Sequence, residues 1–250
     1  MNQTDLRLDG RRILVTGAGS GIGRRAVQTL CQLGAQVIAA DIDEAAVKSV
    51  AAETGSQARL VDVRCRASVR GLFSELRSEV DGVLTCAGGA ERYDALDVDD
   101  ELFFSTIDLN AGGFWRTAQE AARQSIAANR RGLSIVHVAS SLYSGPAPGL
   151  SHFAAAKAAS VTLVRCLAQE WAPYGIRVNA LIPGPVDTPA TRRVWDSHPH
   201  IRDLIEKRMP TGRVGDADDL LLPMLWLLHP STSWVTGSLV TIDGGWSVSS

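Results

Sequence analysis

The sequence predicts an α/β protein: one domain over residues 1–250, built as a doubly wound, mainly parallel sheet of seven strands with helices on both faces. Three observations carry that reading. Short runs rich in Val, Ile and Leu alternate with longer amphipathic stretches, and no linker, low-complexity tract or internal repeat interrupts them. A glycine-rich loop, Thr16-Gly17-Ala18-Gly19-Ser20-Gly21-Ile22-Gly23, stands between the first apolar run and the first amphipathic stretch. An acid, Asp41, ends the second apolar run.

The elements follow in order. A strand at 13–15 is apolar on both faces, as a parallel strand covered by helices on each side requires. The glycine loop opens a helix over 21–33. Gly17, Gly21 and Gly23 stand where a side chain would keep a dinucleotide pyrophosphate from the backbone, and the helix start offers that anion free N–H groups and a positive dipole end. A strand at 36–40 leads to Asp41, where a dinucleotide fold puts a carboxylate on the adenosine ribose hydroxyls. Either piece alone reads as a tight turn or a solvated acid; strand, turn, helix and strand in that order read as a Rossmann-type cofactor site. Helices over 44–54, 68–78, 100–127, 152–173 and 216–229 then alternate with strands at 58–61, 82–85, 133–139, 177–181 and 239–242. Ligands of such a sheet bind outside the carboxyl ends of its strands. Asp41, Asp62, the turn at 86–89, residues 139–141 and Pro183-Gly184 all fall there. The segment 183–199 reads as a long irregular loop, and a substrate lid is expected around 185–210.

Composition narrows the classes. A formal charge of −2 leaves no broad basic field for nucleic acid or an anionic membrane. No apolar run approaches membrane-spanning length, and residues 1–7 lack the apolar core of a secretory signal. Cys31, Cys65, Cys86 and Cys166 fit no metal-ligand spacing, so reduced thiols in a cytoplasmic protein, with no metal, are expected.

Taken together, these motifs resemble the short-chain dehydrogenase/reductase family over nearly the whole chain. The loop at 16–23 matches its glycine motif, with Gly17, Ser20, Gly21, Ile22 and Gly23 at the cofactor. Asp62-Val63 looks like its adenine-contacting pair, and Ala87-Gly88 like the end of its Asn-Asn-Ala-Gly turn. Asn110 matches the helix asparagine that organises a bound water, Ser140 the catalytic serine, and Lys157 the lysine that holds the cofactor ribose. Pro183-Gly184-Pro185-Val186-Asp187-Thr188 resembles the segment that holds the nicotinamide carboxamide, through Pro183, Gly184, Val186 and Thr188. Asp243-Gly244-Gly245 completes the pattern. The resemblance implies a dinucleotide cofactor, hydride transfer to or from a small molecule, and a homo-oligomer, tetramer or dimer. Asp41 argues for NAD, because a carboxylate repels a 2′-phosphate and neither Ser20 nor Ile42 offers it a positive charge.

Two departures stand out. Thr85-Cys86 replaces the two asparagines of the family turn, so the amide contacts that steady the central sheet are expected to be missing. Phe153 stands thirteen residues after Ser140, in the place of the tyrosine of Tyr-x-x-x-Lys. On a helix, 153 and 157 share a face, so Lys157 lies beside that side chain. A phenylalanine has no proton to give, and a positioned acid or base supplies about 3–5 kcal/mol of transition-state stabilisation. Tyr143, three residues after Ser140, is a substitute donor or else a surface loop tyrosine. Mitochondrial 2,4-dienoyl-CoA reductases, a branch of the family, resemble that arrangement. Strand alternation and the count to 153 favour Ser140 over the adjacent Ser141. His152 reads as a helix-start residue, and Trp195 as a lid residue facing substrate.

Three functions compete on this reading. The first is an NAD-dependent alcohol or carbonyl oxidoreductase using Asn110, Ser140, Tyr143 and Lys157. The second is a reductase of a conjugated C=C bond using Tyr143. The third, motivated by Phe153, is an NAD-binding protein that has lost its chemistry.

Overall fold

The computed structural model describes residues 6–76, 79–197 and 199–249. The leader reading at 1–5, the far end of the helix expected over 68–78, and one position of the expected lid lie outside those residues.

Seven strands join one wholly parallel sheet: β1 (Arg12–Thr16), β2 (Gln36–Asp41), β3 (Gln57–Leu60), β4 (Gly82–Thr85), β5 (Ser134–Val138), β6 (Arg177–Pro183) and β7 (Leu239–Ile242), in the order β3-β2-β1-β4-β5-β6-β7. The chain builds outward from β1 to β3, then returns beside β1 as β4. The crevice at that reversal, above the carboxyl ends of β1 and β4, is where such sheets take ligands.

Helices cover both faces. Alternate strand residues enter opposite cores, which explains why the runs are apolar throughout. Leu14, Ile38, Val83, Ile135 and Val178 pack with α3 (Arg66–Glu75), α5 (Gly113–Ala127) and α6 (Ser151–Trp171) through Val69, Phe73, Phe114, Ala118, Val161 and Val164. Ile13, Val15, Val37, Leu84, Val136 and Leu181 pack with α1 (Gly21–Gln32), α2 (Glu44–Thr54) and α9 (Leu221–Leu228) through Val27, Leu30, Val50, Met224 and Leu228.

Four elements differ from expectation. The helix expected over 100–127 is two helices, α4 (Asp100–Ile107) and α5, joined by a π-turn at Asp108–Gly112 that carries Asn110. Such a turn adds a residue to the coil without changing the hydrophobic pattern much, so periodicity does not reveal it. The helix expected over 216–229 starts as a 3₁₀ turn, Asp218–Leu220, and becomes α9 only at Leu221. The third helix begins two residues earlier than expected, at Arg66. The segment read as an irregular loop over 183–199 instead forms α7 (Pro189–Ser197), followed by α8 (Pro199–Arg208). Thr188 and Pro189 open α7 as a start signal that the prolines around it obscured: Thr188 Oγ1 accepts from Thr191 N at 3.3 Å, and Pro189 takes the first helical position.

Candidate functional site

The cleft above β1 and β4 has a volume of about 410 Å³. Of the residues that the sequence assigns to a cofactor, Gly17, Ser20, Gly21, Ile22, Gly23, Asp41, Asp62, Val63, Ala87, Gly88 and Thr188 line it. Pro183, Gly184, Val186 and Lys157 do not. Gly184 N bonds Ile242 O at 3.1 Å, and Val186 is buried in a bridge to Gly215.

The loop between β1 and α1 is shaped by close packing of backbone on backbone. Gly17 has φ of +70°, and a Cβ there would lie 2.5 Å from Ala87 N. A Cβ on Gly23 would lie 2.0 Å from Gly17 O. Ser20 stands at the N-cap of α1 but makes no side-chain cap, and no acid occupies the first turn. The first-turn amides therefore face the cleft without a protein carboxylate, which suits a pyrophosphate. Asp41 is fixed at the cleft edge by Gly19 N at 2.8 Å and Asp43 N at 3.0 Å. The residues present thus fit a dinucleotide: amides for its phosphates, a carboxylate for ribose hydroxyls.

Sequence reasoning missed part of the wall. Ile42, Val61, Arg64, Cys86, Leu109, Pro189 and Ala190 also line the cleft. Arg64 brings a positive charge close to Asp41 and Asp62, but Asp62 holds it. The Asp62 carboxylate accepts from Arg64 N at 2.9 Å and from its guanidinium at 3.0 and 2.9 Å, and these bonds hold the carboxyl below its ordinary range. The spacing Asp-x-Arg was the available signal.

The chemical end lies where β4, β5, the π-turn and α6 converge. Asn110 is fully buried, and its amide is spent on the protein: Oδ1 accepts from Gly89 N at 3.0 Å, while Nδ2 donates to Gly89 O at 2.9 Å and Thr106 O at 3.0 Å. Lys157 is buried and donates from Nζ to Val138 O at 3.1 Å. A Cβ on Gly88 would lie 2.6 Å from Asn110 Oδ1 and 3.3 Å from Lys157 Nζ, so both groups close on that glycine. Burial draws the Lys157 ammonium down to about 8, against a small opposing pull from the Cys86 thiol. The same burial pushes Cys86 up to about 12, with the lysine charge opposing. Phe153 is half-buried, its ring centroid 5.4 Å from Lys157 Nζ.

Ser140 ends the extended run after β5 and caps a one-turn 3₁₀ helix, Ser141–Tyr143, accepting from Leu142 N at 3.2 Å. Ser141 is buried. Tyr143 follows on the same turn, its ring partly buried against the core that holds Val161 and Ala139. His152 is the second residue of α6. It is fully buried, stands edge-on to Tyr93 at 6.3 Å, and has no partner for either ring nitrogen among the described residues. Trp195 is buried within α7 under the Arg202 guanidinium, 5.1 Å from its ring. Among the described residues no cluster of His, Cys, Asp or Glu is assembled to hold a metal, and no helix is long and apolar enough to cross a membrane.

The sheet contact expected to be missing at 85 and 86 is supplied differently. Thr85 Oγ1 bonds His137 Nδ1 at 2.8 Å across β4 and β5, and His137 Nε2 bonds Ser160 Oγ at 3.1 Å. Ser160 donates its one proton to Lys157 O at 2.9 Å. His137 must therefore donate from Nε2 and accept at Nδ1. Burial, then the nearby lysine charge, holds this imidazole well below its ordinary value, so it is neutral.

A buried lysine leaves a thermodynamic trace. Its folded-state value, about 8, lies below its ordinary 10.5, so between those values the unfolded chain keeps a proton that the folded chain has shed. The Lys157 contribution to stability therefore rises with pH across that window. Wild type minus Lys157→Met, compared by urea unfolding at pH 7.5 and pH 10, is expected to shift in favour of wild type at the higher pH.

Comparison with known proteins gives a consistent result. The family model described as enoyl-(acyl carrier protein) reductase matches residues 17–247. Galactitol 2-dehydrogenase (L-tagatose-forming) of Cereibacter sphaeroides is 35% identical, over 98% of this chain and 98% of that protein. A short-chain type dehydrogenase/reductase of Mycobacterium marinum is 34% identical with a TM-score of 0.89, over 97% and 98% of the two chains. A gluconate 5-dehydrogenase of Burkholderia cenocepacia, solved with NADP and tartrate, is 29% identical with a TM-score of 0.91 over 98% of each chain.

Proposed function

Because the chain belongs to the short-chain dehydrogenase/reductase family, we propose that it is an NAD(H)-dependent oxidoreductase that interconverts a secondary alcohol and its carbonyl counterpart. The observation that carries the cofactor choice is the Asp41 carboxylate, locked at the cleft edge by two backbone amides. It accepts from ribose hydroxyls and repels a 2′-phosphate, while the nearby Arg64 charge is already taken by Asp62. When bound, the dinucleotide supplies or takes up the hydride.

The chain's own residues do the rest. The first-turn amides of α1 hold the pyrophosphate, and Asp62 and Val63 border the adenine. Pro183, Gly184, Val186 and Thr188 border the carboxamide end. Lys157 holds the second ribose and supplies positive charge. Ser140 and Tyr143 polarise the reacting oxygen. Asn110, its side chain committed to Gly89 and Thr106, anchors a water chain through its peptide group. The α7–α8 segment covers the substrate, steadied by Asp187, which pairs with Arg192 and with Arg202 at 3.6 Å. The relatives' names make polyols and hydroxy-ketones the first class to try.

The test is binding, then turnover. Calorimetry with NADH and NADPH is expected to show NADH at least tenfold tighter, with Asp41→Ala narrowing the gap; NADPH binding more tightly would overturn the cofactor choice. A panel of polyols with NAD, and of ketoses such as L-tagatose with NADH, is expected to give turnover.

Phe153 favours a second reading, reduction of a conjugated C=C bond, where the hydroxyls only stabilise an enolate. Consumption of NADH with an enoyl thioester and with no ketone would establish that reading in place of the first.

The protein acts in the cytoplasm as a homo-oligomer. Trp234 is 98% exposed, and Leu222, Trp226 and Val248 are exposed as well, large apolar side chains that a subunit interface would cover. Light scattering is expected to give the mass of a tetramer or dimer; a monomer at micromolar concentration would refute this.

A further inference from the structure

We propose that the buried imidazole of His137 is a positioning residue: through Thr85, Phe114 and Ser160 it sets where Gly88, Asn110 and Lys157 meet at the chemical end of the site. This rests on the oxidoreductase reading above and extends it to a side chain behind the cleft wall.

Three site groups close on one point. A Cβ on Gly88 would lie 2.6 Å from Asn110 Oδ1 and 3.3 Å from Lys157 Nζ. The three come from different elements: the exit of β4, the π-turn and α6. Each stands three or four residues from a group that touches His137. Thr85, three residues before Gly88, bonds Nδ1 at 2.8 Å. Phe114, four residues after Asn110, stacks on the imidazole, with ring centroids 4.2 Å apart and planes at 25°. Ser160, three residues after Lys157, bonds Nε2 at 3.1 Å. All four side chains are buried.

The bonds have a fixed sense. Ser160 spends its proton on Lys157 O, so its oxygen accepts from Nε2, and Nδ1 accepts from the Thr85 hydroxyl. The run from β4 through β5 to α6 therefore has one arrangement, with each proton placed. The apolar contacts around it, Val161 and Val164 of α6 with Ile135 and Val178 of the sheet, are non-directional and tolerate small slips. Hydrogen bonds weaken steeply when bent or stretched. Lys157 Nζ adds a second polar tie between α6 and β5, to Val138 O, the residue beside His137.

The opposite wall leaves no slack. A Cβ on Gly17 would lie 2.5 Å from Ala87 N. Cys86, Ala87 and Gly88 line the cleft, pressed between the β1 loop on one side and Asn110 on the other. A shift of Thr85 thus passes directly into the surface that meets the dinucleotide. Misplacing a bound reactant by about 1 Å costs roughly 100-fold in rate.

The test measures dinucleotide affinity by calorimetry, with NADH or NADPH, whichever wild type binds more tightly, beside urea unfolding of the same samples. In Thr85→Val/His137→Phe an apolar pair replaces a bonded pair, an exchange that leaves stability nearly unchanged. This variant is expected to unfold cooperatively near the wild-type midpoint and yet to bind the dinucleotide at least tenfold more weakly. A core filler with no positioning role would move the midpoint and leave the affinity of the folded protein alone. His137→Gln keeps an acceptor and a donor on one planar group and is expected to bind within threefold of wild type. Ser160→Ala removes the α6 bond with a residue well suited to a helix, and is expected to bind at least threefold more weakly.

A folded double variant that binds within twofold of wild type would overturn the proposal, as would His137→Gln binding as weakly as the double variant. Should the double variant not fold, Ser160→Ala decides: full affinity overturns the proposal and weakened affinity supports it. Wild type that binds neither dinucleotide fails the oxidoreductase reading and takes the proposal with it. Wild type that binds well, beside a double variant that binds equally well, fails the proposal alone.

Discussion

Gly23→Ala is expected to abolish cofactor binding, with NADH affinity falling at least 100-fold and the variant unfolding at lower urea. The added Cβ would meet Gly17 O at 2.0 Å and Gly17 C at 2.8 Å. No contact of that length exists in a folded protein, and neither partner is the end of a flexible side chain. Relief requires moving α1 away from the β1 loop. That displaces the first-turn amides from the cleft and disturbs Gly17, which itself sits against Ala87. One methyl group therefore reaches both walls of the crevice. Gly21→Ala is a useful contrast for crowding: its nearest neighbour would be Thr188 Cβ at 3.5 Å, ordinary contact, although its φ of +50° still adds strain. Calorimetry with NADH on both variants checks the ranking; Gly23→Ala binding as tightly as Gly21→Ala would refute the packing argument.

Arg177→Met is expected to destabilise the protein by about 1.5–3 kcal/mol in urea unfolding, because three carbonyls lose a charged donor, although Ser134 Oγ stays on Leu227 O, Asn179 Nδ2 on Val235 O and Thr232 Oγ1 on His229 O. The guanidinium of this first residue of β6 donates to Val235 O at 3.0 Å, Leu227 O at 2.9 Å and His229 O at 3.3 Å. Leu227 lies in the last turn of α9, where carbonyls have no helical partner and a cation meets the negative end of the helix dipole. Burial, with the like charge of Arg11, draws the guanidinium down to about 10, which leaves it charged at neutral pH. The side chain thus ties β6 to α9 and to the turn that leads to β7. Arg177→Lys is expected to recover only part of the loss, since an ammonium cannot fork across three carbonyls. A loss below 1 kcal/mol in Arg177→Met would show that the remaining donors satisfy these carbonyls by themselves.

The sheet and the cleft were legible in the sequence because their signals are local and redundant. Double-sided apolar strands, Gly17 to Gly23 and Asp41 each needed only a few neighbouring residues to be read, and the structure brings most of them to one crevice. What was not legible depends on partners distant in sequence. Arg64 entered the cleft wall through a bond to Asp62 that competes with solvent exposure, and nothing in hydropathy separates it from a surface arginine. His137 sits among the apolar residues of β5, and its meaning emerges only with Thr85 on β4 and Ser160 on α6. The helix at 189–197 was hidden because prolines at 183, 185 and 189 suggest a loop, whereas the last of them starts a helix. The π-turn was invisible for the opposite reason: its residues fit an unbroken helix.

That π-turn has a consequence for how the family's insertions and deletions are tolerated here. One residue fewer between Asp108 and Gly112 would let α4 run straight into α5 as a single rod, and every side chain beyond the excision would swing by roughly 100° about the axis. Asn110 would then release the Gly89 peptide it now grips from both sides, freeing the strand-exit segment that carries Tyr93 over His152. The extra half-step in the coil works as a spacer that sets the angle of a latch.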